Sequence, residues 1–278
     1  MMRAALLVLA AAEASSSGAV AERGFLLAAT KKPISLLRRH PAKDDDLGAL
    51  LRDICATAYP ATVVVGDADE AKAVRDARPC KSVNVTVLGG DGGRRRTTDV
   101  RLRYFKVGAI AEHARLYPGG TLYLDCDVAL RRDAVDELFG VFDALKRKGG
   151  KALGLSASHI CAPKQHHVGA GVAHSFCERN SGMIFLGDAP EAAEVAREWL
   201  DELRRHTSAD GHDQMPLRKV LWNHRDALHD VPKDIQLRSH KRSPCDGRPL
   251  LWHWHRADRV NWAKKKKHGA AEVCGFVV

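Results

Sequence analysis

The chain has 278 residues, 45% of them hydrophobic and 28% charged, with a net charge of +10 and a pI near 9.4. That balance excludes a disordered or low-complexity chain and supplies enough apolar side chain for one large domain or two small ones. No Pro/Ser-rich linker or internal repeat divides the sequence, so it reads as one domain. The positive excess favours anionic ligands such as nucleotides, phosphosugars or acidic lipid heads. The run Lys264–Lys267 lacks the aromatic-studded pattern of RNA binders and argues against nucleic acid. It leaves residues 263–278 as a basic tail, solvated or in peripheral contact with a membrane.

At the N-terminus, residues 1–14 join Arg3 to a short apolar stretch and an A-E-A that fits cleavage after Ala14. The stretch is too short to span a bilayer as a helix. The seven cysteines, at 55, 80, 126, 161, 177, 245 and 274, have no regular spacing. They form no disulfide framework, though one bridge is possible. Asn84-Val85-Thr86 is a glycosylation sequon set in a strand-like run. These features point to the secretory pathway, the ER or Golgi lumen. A cytosolic chain with a ragged N-terminal helix is the alternative.

In chain order, "GFLLAAT" (24–30) predicts a strand and "DLGALLRDICATAY" (46–59) a helix. A strand over 61–67, a short helix over 69–77 and a strand over 82–88 follow. After a Gly/Arg-rich loop, 97–117 predicts a strong helix capped by Thr97 or Thr98, and "TLYLDCD" begins straight after Pro118-Gly119-Gly120. A helix over 133–147 and a strand over 151–158 precede a His- and Cys-rich loop. Then come a strand over 181–187, helices over 190–206 and 213–222, and an apolar segment over 249–255. Strands of this length alternating with helices predict an α/β fold, a Rossmann-like, mainly parallel sheet flanked by helices.

The pattern D-x-D occurs at Asp44/Asp46, Asp67/Asp69 and Asp125/Asp127. Asp67/Asp69 leads into Glu70 and a helical run, which suits helix capping. Asp125/Asp127 lies at the carboxyl end of the fourth predicted strand, where open α/β sheets bind ligands. Two carboxylates there are hard ligands suited to Mg²⁺ or Mn²⁺. Between them, Cys126 is expected to point inward as a small buried hydrophobe. In "LWHWH", His253 and His255 share one strand face and Trp252 and Trp254 the other.

Taken together, "YFKVGAIAEHARLYPGGTLYLDCD", "RNSGMIFL" (179–186), "DQMPL" (213–217) and "LWHWH" resemble, in order, glycosyltransferase family 8, the glycogenin-like and galactosyltransferase-like enzymes of the GT-A fold. The resemblance implies a GT-A domain over about 20–262 that moves a sugar from a nucleotide-diphosphate sugar, UDP-linked for preference, to an acceptor hydroxyl with retention. It implies that Asp125, Asp127 and His253 hold Mn²⁺ (or Mg²⁺), with His255 the fallback ligand. Lys106 would reach the donor sugar or its phosphates, and Asn180, Ser181 and Gly182 would line the sugar pocket. Asp213 and Gln214 would contact the transferred sugar or sit beneath its anomeric carbon. The residues alone leave Lys106 open as a solvated helix residue, and Asp213 open as the N-cap of its helix or as a general base for inversion.

The chain departs from that family after the late histidine. Arg256 stands where glycine is expected and no Lys-Pro-Trp follows, so Arg256, Arg259 or Lys264 would have to take the phosphate. Thr30 and Lys31 are the polar residues nearest the expected base site. The loop at 158–180, with His159, Cys161, His166, His167, His174 and Cys177, is read as facing the acceptor, with structural zinc the alternative. Two other functions compete. "LYLDCDVAL" also resembles the first motif of haloacid-dehalogenase-type phosphatases, with Asp125 as nucleophile and Ser156 ending a second motif. A non-catalytic protein of the glycosyltransferase fold is the third reading.

Overall fold

The computed structural model describes residues 23–29, 34, 46–77, 80–88, 99–149, 153–157, 171–173, 175–187, 190–205, 213–232, 235–237, 249–253, 259, 272–273 and 276–277. Four strands open the fold: β1 (Arg23–Ala28), β2 (Ala61–Val65), β3 (Val83–Val87) and β4 (Gly120–Leu124). The helices between them are α1 (Asp46–Cys55), α2 (Ala68–Ala77) and α3 (Asp99–His113). A three-residue strand, β5 (Val128–Leu130), then α4 (Val135–Gly149), β6 (Leu153–Ala157) and β7 (Arg179–Leu186) follow. The chain continues through α5 (Pro190–Arg205), α6 (Gln214–Asn223), β8 (Leu228–Val231), β9 (Gln236–Leu237), β10 (Leu251–His253), β11 (Glu272–Val273) and β12 (Phe276–Val277). The predicted strands and helices all form, with ends shifted by up to four residues: α1 stops at Cys55, β7 begins at Arg179 and α4 runs on to Gly149; β5, β8, β9, β11 and β12 were not anticipated.

The main sheet has the order β3-β2-β1-β4-β7-β6-β8. β1 to β4 run parallel, β7 runs against both β4 and β6, and β8 is parallel to β6. Period-2 alternation splits its side chains between two faces. Phe25, Leu27, Val63, Leu122, Leu124 and Phe185 pack under α1, α2 and α4, while Leu26, Val64, Tyr123, Ile184 and Leu186 pack under α3, α5 and α6. The helices answer with apolar residues three and four apart, Val107 and Ile110 on α3, with Ala114 just past its end, and Ala192, Val195, Ala196 and Trp199 on α5. Phe142 of α4 stacks on Phe185 of β7 with centroids 4.1 Å apart.

α2 begins with a reciprocal cap: Asp67 accepts from the Glu70 N–H at 2.8 Å and Glu70 accepts from the Gly66 N–H at 2.8 Å. This second D-x-D is therefore a helix start. Asp44, with Thr97 and Thr98, lies outside the described residues. Cys55, at the end of α1, is disulfide-bonded to Cys80, just before β3, with Cα atoms 5.8 Å apart. Cys177 is disulfide-bonded too.

Two features place the site. β7 runs antiparallel to β4 with Leu124 opposite Met183, so Asn180, Ser181 and Gly182 arrive beside the residue after β4. β10 pairs antiparallel with β5, His253 opposite Val128, which brings a distant histidine to the turn holding Asp125 and Asp127. The end of the basic 263–278 segment also returns to the fold: Phe276 is fully buried and its ring lies 5.8 Å from that of Trp252. Lys264–Lys267 lie outside the described residues. Among the described residues no helix is long and apolar enough to cross a membrane.

Candidate active site

β4 ends at Leu124, one further bond to β7 runs from the Asp125 N–H to the Gly182 carbonyl at 2.9 Å, and the chain then bends so that the Val128 N–H donates to the Asp125 carbonyl at 3.2 Å. Asp125 continues the strand face of Tyr123, two residues earlier, and thus points toward α3 and α6. Cys126 sits in the bend rather than in a strand. It is half-buried, with its Sγ 3.5 Å from the Ala28 carbonyl oxygen.

One carboxylate oxygen each from Asp125 and Asp127 and one imidazole nitrogen of His253 lie within 4.8 Å of one another. His253 Nε2 is 3.1 Å from Asp127 Oδ1 and 3.8 Å from Asp125 Oδ2. Octahedral ligands about 2.1 Å from a small divalent ion sit about 3.0 Å apart, so the His253–Asp127 edge already has that spacing. Two hard oxygens and one imidazole match the donor set that Mn²⁺ accepts and Mg²⁺ tolerates. These residues fit a divalent ion.

Lys106 is central. Its Nζ lies 2.8 Å from Asp125 Oδ1, 3.1 Å from Ser181 Oγ and 3.3 Å from Asp213 Oδ2. The solvated-residue reading of Lys106 is thereby excluded. Burial works against its ammonium, but Asp125 and Asp213 outweigh that and hold it above the usual lysine range. Asp213 stands just before α6, yet its side chain makes no capping bond. It accepts instead from Ser181 Oγ at 2.8 Å, while its backbone carbonyl accepts from the Trp199 indole at 2.9 Å. Burial pushes its carboxyl up, but Lys106, Ser181 and Arg103 together bring it below the usual carboxylate range. The capping role left open in the sequence gives way to these longer-range partners. Gln214 is half-buried in the first turn of α6 and bonds to none of the cluster among the described residues.

Three further contacts were not foreseen. Tyr123 donates to Asp125 Oδ1 at 2.8 Å, and burial, then Asp125, keeps its phenol protonated far above the usual range. Its place two residues before Asp125 was the available signal. Arg259, considered for phosphate binding, is fully buried and donates to the Asp127 backbone carbonyl at 2.9 Å. That bond ties Arg259 to the turn that carries Asp127. Arg218 of α6, also buried, donates to the Ala173 and Phe176 carbonyls at 2.8 and 2.9 Å and ties the segment before β7 to that helix.

Gly182 has a steric reason. A Cβ there would stand 2.0 Å from His253 Cε1, so only glycine lets the ring lie over β7. Gly182→Ala should therefore push His253 out of the cluster. We expect it to lower Mn²⁺ affinity at least tenfold, read by titration calorimetry, with roughly 1–3 kcal/mol lost from stability through overpacking. Unchanged affinity would rule out the ring position described here.

The remaining sequence candidates, His255, Arg256, Lys264, Thr30, Lys31, His159, Cys161, His166, His167 and His174, lie outside the described residues. Ser156, the second element of the phosphatase reading, is on β6, which β7 separates from β4. Two strand spacings, roughly 10 Å, keep it from Asp125.

No protein-family model and no curated protein matches the sequence. Solved structures do match. Apo mouse xyloside xylosyltransferase 1 is 13% identical with a TM-score of 0.52, over 83% of this chain and 97% of that one. The glycosyltransferase GlyE of Streptococcus pneumoniae is 16% identical with a TM-score of 0.53, over 84% of this chain and 54% of that one. The galactosyltransferase LgtC, solved with donor and acceptor sugar analogs, is 12% identical with a TM-score of 0.52, over 83% and 86%. At these identities the likeness is one of fold, and the fold is GT-A.

Proposed function

We propose that the chain is a metal-dependent glycosyltransferase that moves a sugar from a nucleotide-diphosphate sugar, UDP-linked for preference, to an acceptor hydroxyl with retention of configuration. The observation that carries this reading is the convergence of Asp125, Asp127 and His253 beside Lys106 at the carboxyl end of β4 in a GT-A fold. Bound by those three residues, Mn²⁺ or Mg²⁺ would supply positive charge for the departing diphosphate. Lys106, held charged by its surroundings, adds a second fixed cation at the same place, where charge develops as the sugar leaves. Tyr123 and Lys106 hold Asp125 in one orientation, so that little has to reorganise when the donor arrives.

Asp213 is already ion-paired and held below the usual carboxylate range, which makes it a weak base. That favours a role in binding sugar hydroxyls or balancing positive charge beneath the sugar over proton abstraction from an acceptor. Gln214, next to it in a half-buried position, would share the sugar contact. The test is turnover: a panel of nucleotide sugars, each with Mn²⁺, Mg²⁺ or chelator, followed by release of free nucleoside diphosphate. Metal-dependent release from one donor class is the expected result. No release from any donor, together with no nucleotide-dependent thermal stabilisation, would leave a non-catalytic GT-A protein.

We further propose that the protein works in the secretory pathway. The Cys55–Cys80 bridge suits an oxidising compartment. Asn84 of the sequon is exposed on β3, which among the described residues pairs only with β2, at the edge of the sheet. Expressed with its own N-terminus in a eukaryotic secretory host, the protein should lose mass on glycosidase treatment, and Asn84→Gln should not. Retention of unmodified protein in the cytosol would overturn this assignment.

A further inference from the structure

The resemblance assigns Asn180, Ser181 and Gly182 to the sugar pocket, but the geometry gives Asn180 another task. Asn180 is buried, with 2% of its surface exposed. Its Oδ1 lies 3.1 Å from the Gly182 backbone nitrogen and 3.1 Å from His253 Nδ1. A backbone N–H can only donate, so the atom facing Gly182 is the amide oxygen, and this fixes the orientation of the Asn180 amide. The same oxygen can only accept from His253, so Nδ1 carries the hydrogen. Nε2 is then the nitrogen with a lone pair available to a cation, and it is Nε2 that faces Asp125 and Asp127. With both lone pairs of Oδ1 engaged, that oxygen has no capacity left for a sugar hydroxyl.

We infer that Asn180 is a positioning residue that sets the tautomer and ring angle of His253, so that its Nε2 lone pair completes a divalent-metal site with Asp125 and Asp127. This rests on the metal-site reading above. Metal-bound histidines commonly hold their second nitrogen against such an acceptor, and loss of the acceptor weakens metal binding about 10–100-fold. The triplet on β7 then divides its labour: Asn180 orients the imidazole, Gly182 makes room for it, and Ser181 bridges Lys106 and Asp213.

The test is Mn²⁺ binding to the full chain without nucleotide, followed by electron paramagnetic resonance of free Mn²⁺. Asn180→Leu keeps the size but removes the acceptor and should weaken binding about 10–100-fold. Asn180→Asp keeps an acceptor for both N–H groups and should bind as tightly as wild type or tighter. In a His253→Ala background, Asn180→Leu should have no further effect, because there is no imidazole left to orient. Weakened binding in both Asn180 variants, or an undiminished effect of Asn180→Leu without His253, would show a general structural role and overturn the inference. So would unchanged affinity in Asn180→Leu while wild type binds Mn²⁺. A wild-type chain that binds neither Mn²⁺ nor Mg²⁺ would overturn the metal site itself, and this inference with it.

Discussion

Asp127→Asn should abolish the thermal stabilisation that UDP and Mn²⁺ give together while leaving the unliganded protein as stable as wild type. Asp127 is the better probe of the two aspartates. Asp125 is bound to Lys106 and Tyr123, so its replacement disturbs a packed cluster. Asp127 meets His253 at 3.1 Å through its side chain, and its backbone carbonyl is held by Arg259; asparagine preserves the second and keeps a polar atom for the first. Its carboxylate is also one of the two hard oxygens on offer to the ion. A ligand at 100 times its dissociation constant adds about 2.7 kcal/mol. At roughly 2–4 °C per kcal/mol for a chain of this order of size, wild type should gain about 5–10 °C and the variant nothing. A shift that appears with UDP alone, or that survives in Asp127→Asn, would mean that the nucleotide binds without this cluster.

The sheet and the position of Asp125 and Asp127 were legible because both depend on local pattern. Runs such as Ala61–Val65 and Gly120–Leu124 are buried along their whole length and flanked by helices, and that signal survives without any tertiary knowledge. The direction of β7 was not legible: a run such as Arg179–Leu186 has the same composition whichever way its neighbour runs. Nor was β5 legible, since three apolar residues between Asp127 and Arg131 carry no period. Yet β5 is the strand that pairs with β10 and delivers His253. The same limit applied to the site. Lys106 and Asp213 were selected through resemblance, but their mutual contact comes from the packing of α3 and α6 on one sheet face. The second tasks of Asn180 and Gly182 exist only once His253 has been placed over β7. The cap and the core are written in neighbouring residues; the shared contacts of a polar cluster are written in the topology.

Lys106→Met should destabilise the protein in a pH-dependent way, and the sign follows from the two shifts. Asp213, depressed in the folded chain, contributes stability above its unfolded value of about 3.9, and loses it as pH falls through the lower folded value. Lys106, raised in the folded chain, contributes below its unfolded value of about 10.4, and loses it as pH rises through the folded value. Wild type therefore keeps the whole contribution across the neutral range. In the variant the lowering influence of Lys106 is gone while burial, the largest influence on Asp213, remains. With Ser181 and Arg103 the remaining lowering influences, its folded pKa should rise toward or past the unfolded one, and the stability it contributed above about pH 4 should fall away.

Breaking a buried ion pair by removing one partner costs about 3–5 kcal/mol, so the deficit at pH 7.5 should approach that range and shrink at pH 4.5. Urea unfolding of both proteins in chelator at the two pH values measures it. Adding Asp213→Asn to Lys106→Met should recover part of the loss at pH 7.5 and little at pH 4.5, because the neutral amide spares the cost of burying an unpaired carboxylate. A deficit that is equal at both pH values, and untouched by Asp213→Asn, would mean that Lys106 contributes packing rather than charge. The fixed cation assigned to the departing diphosphate would then have no support from the folded chain.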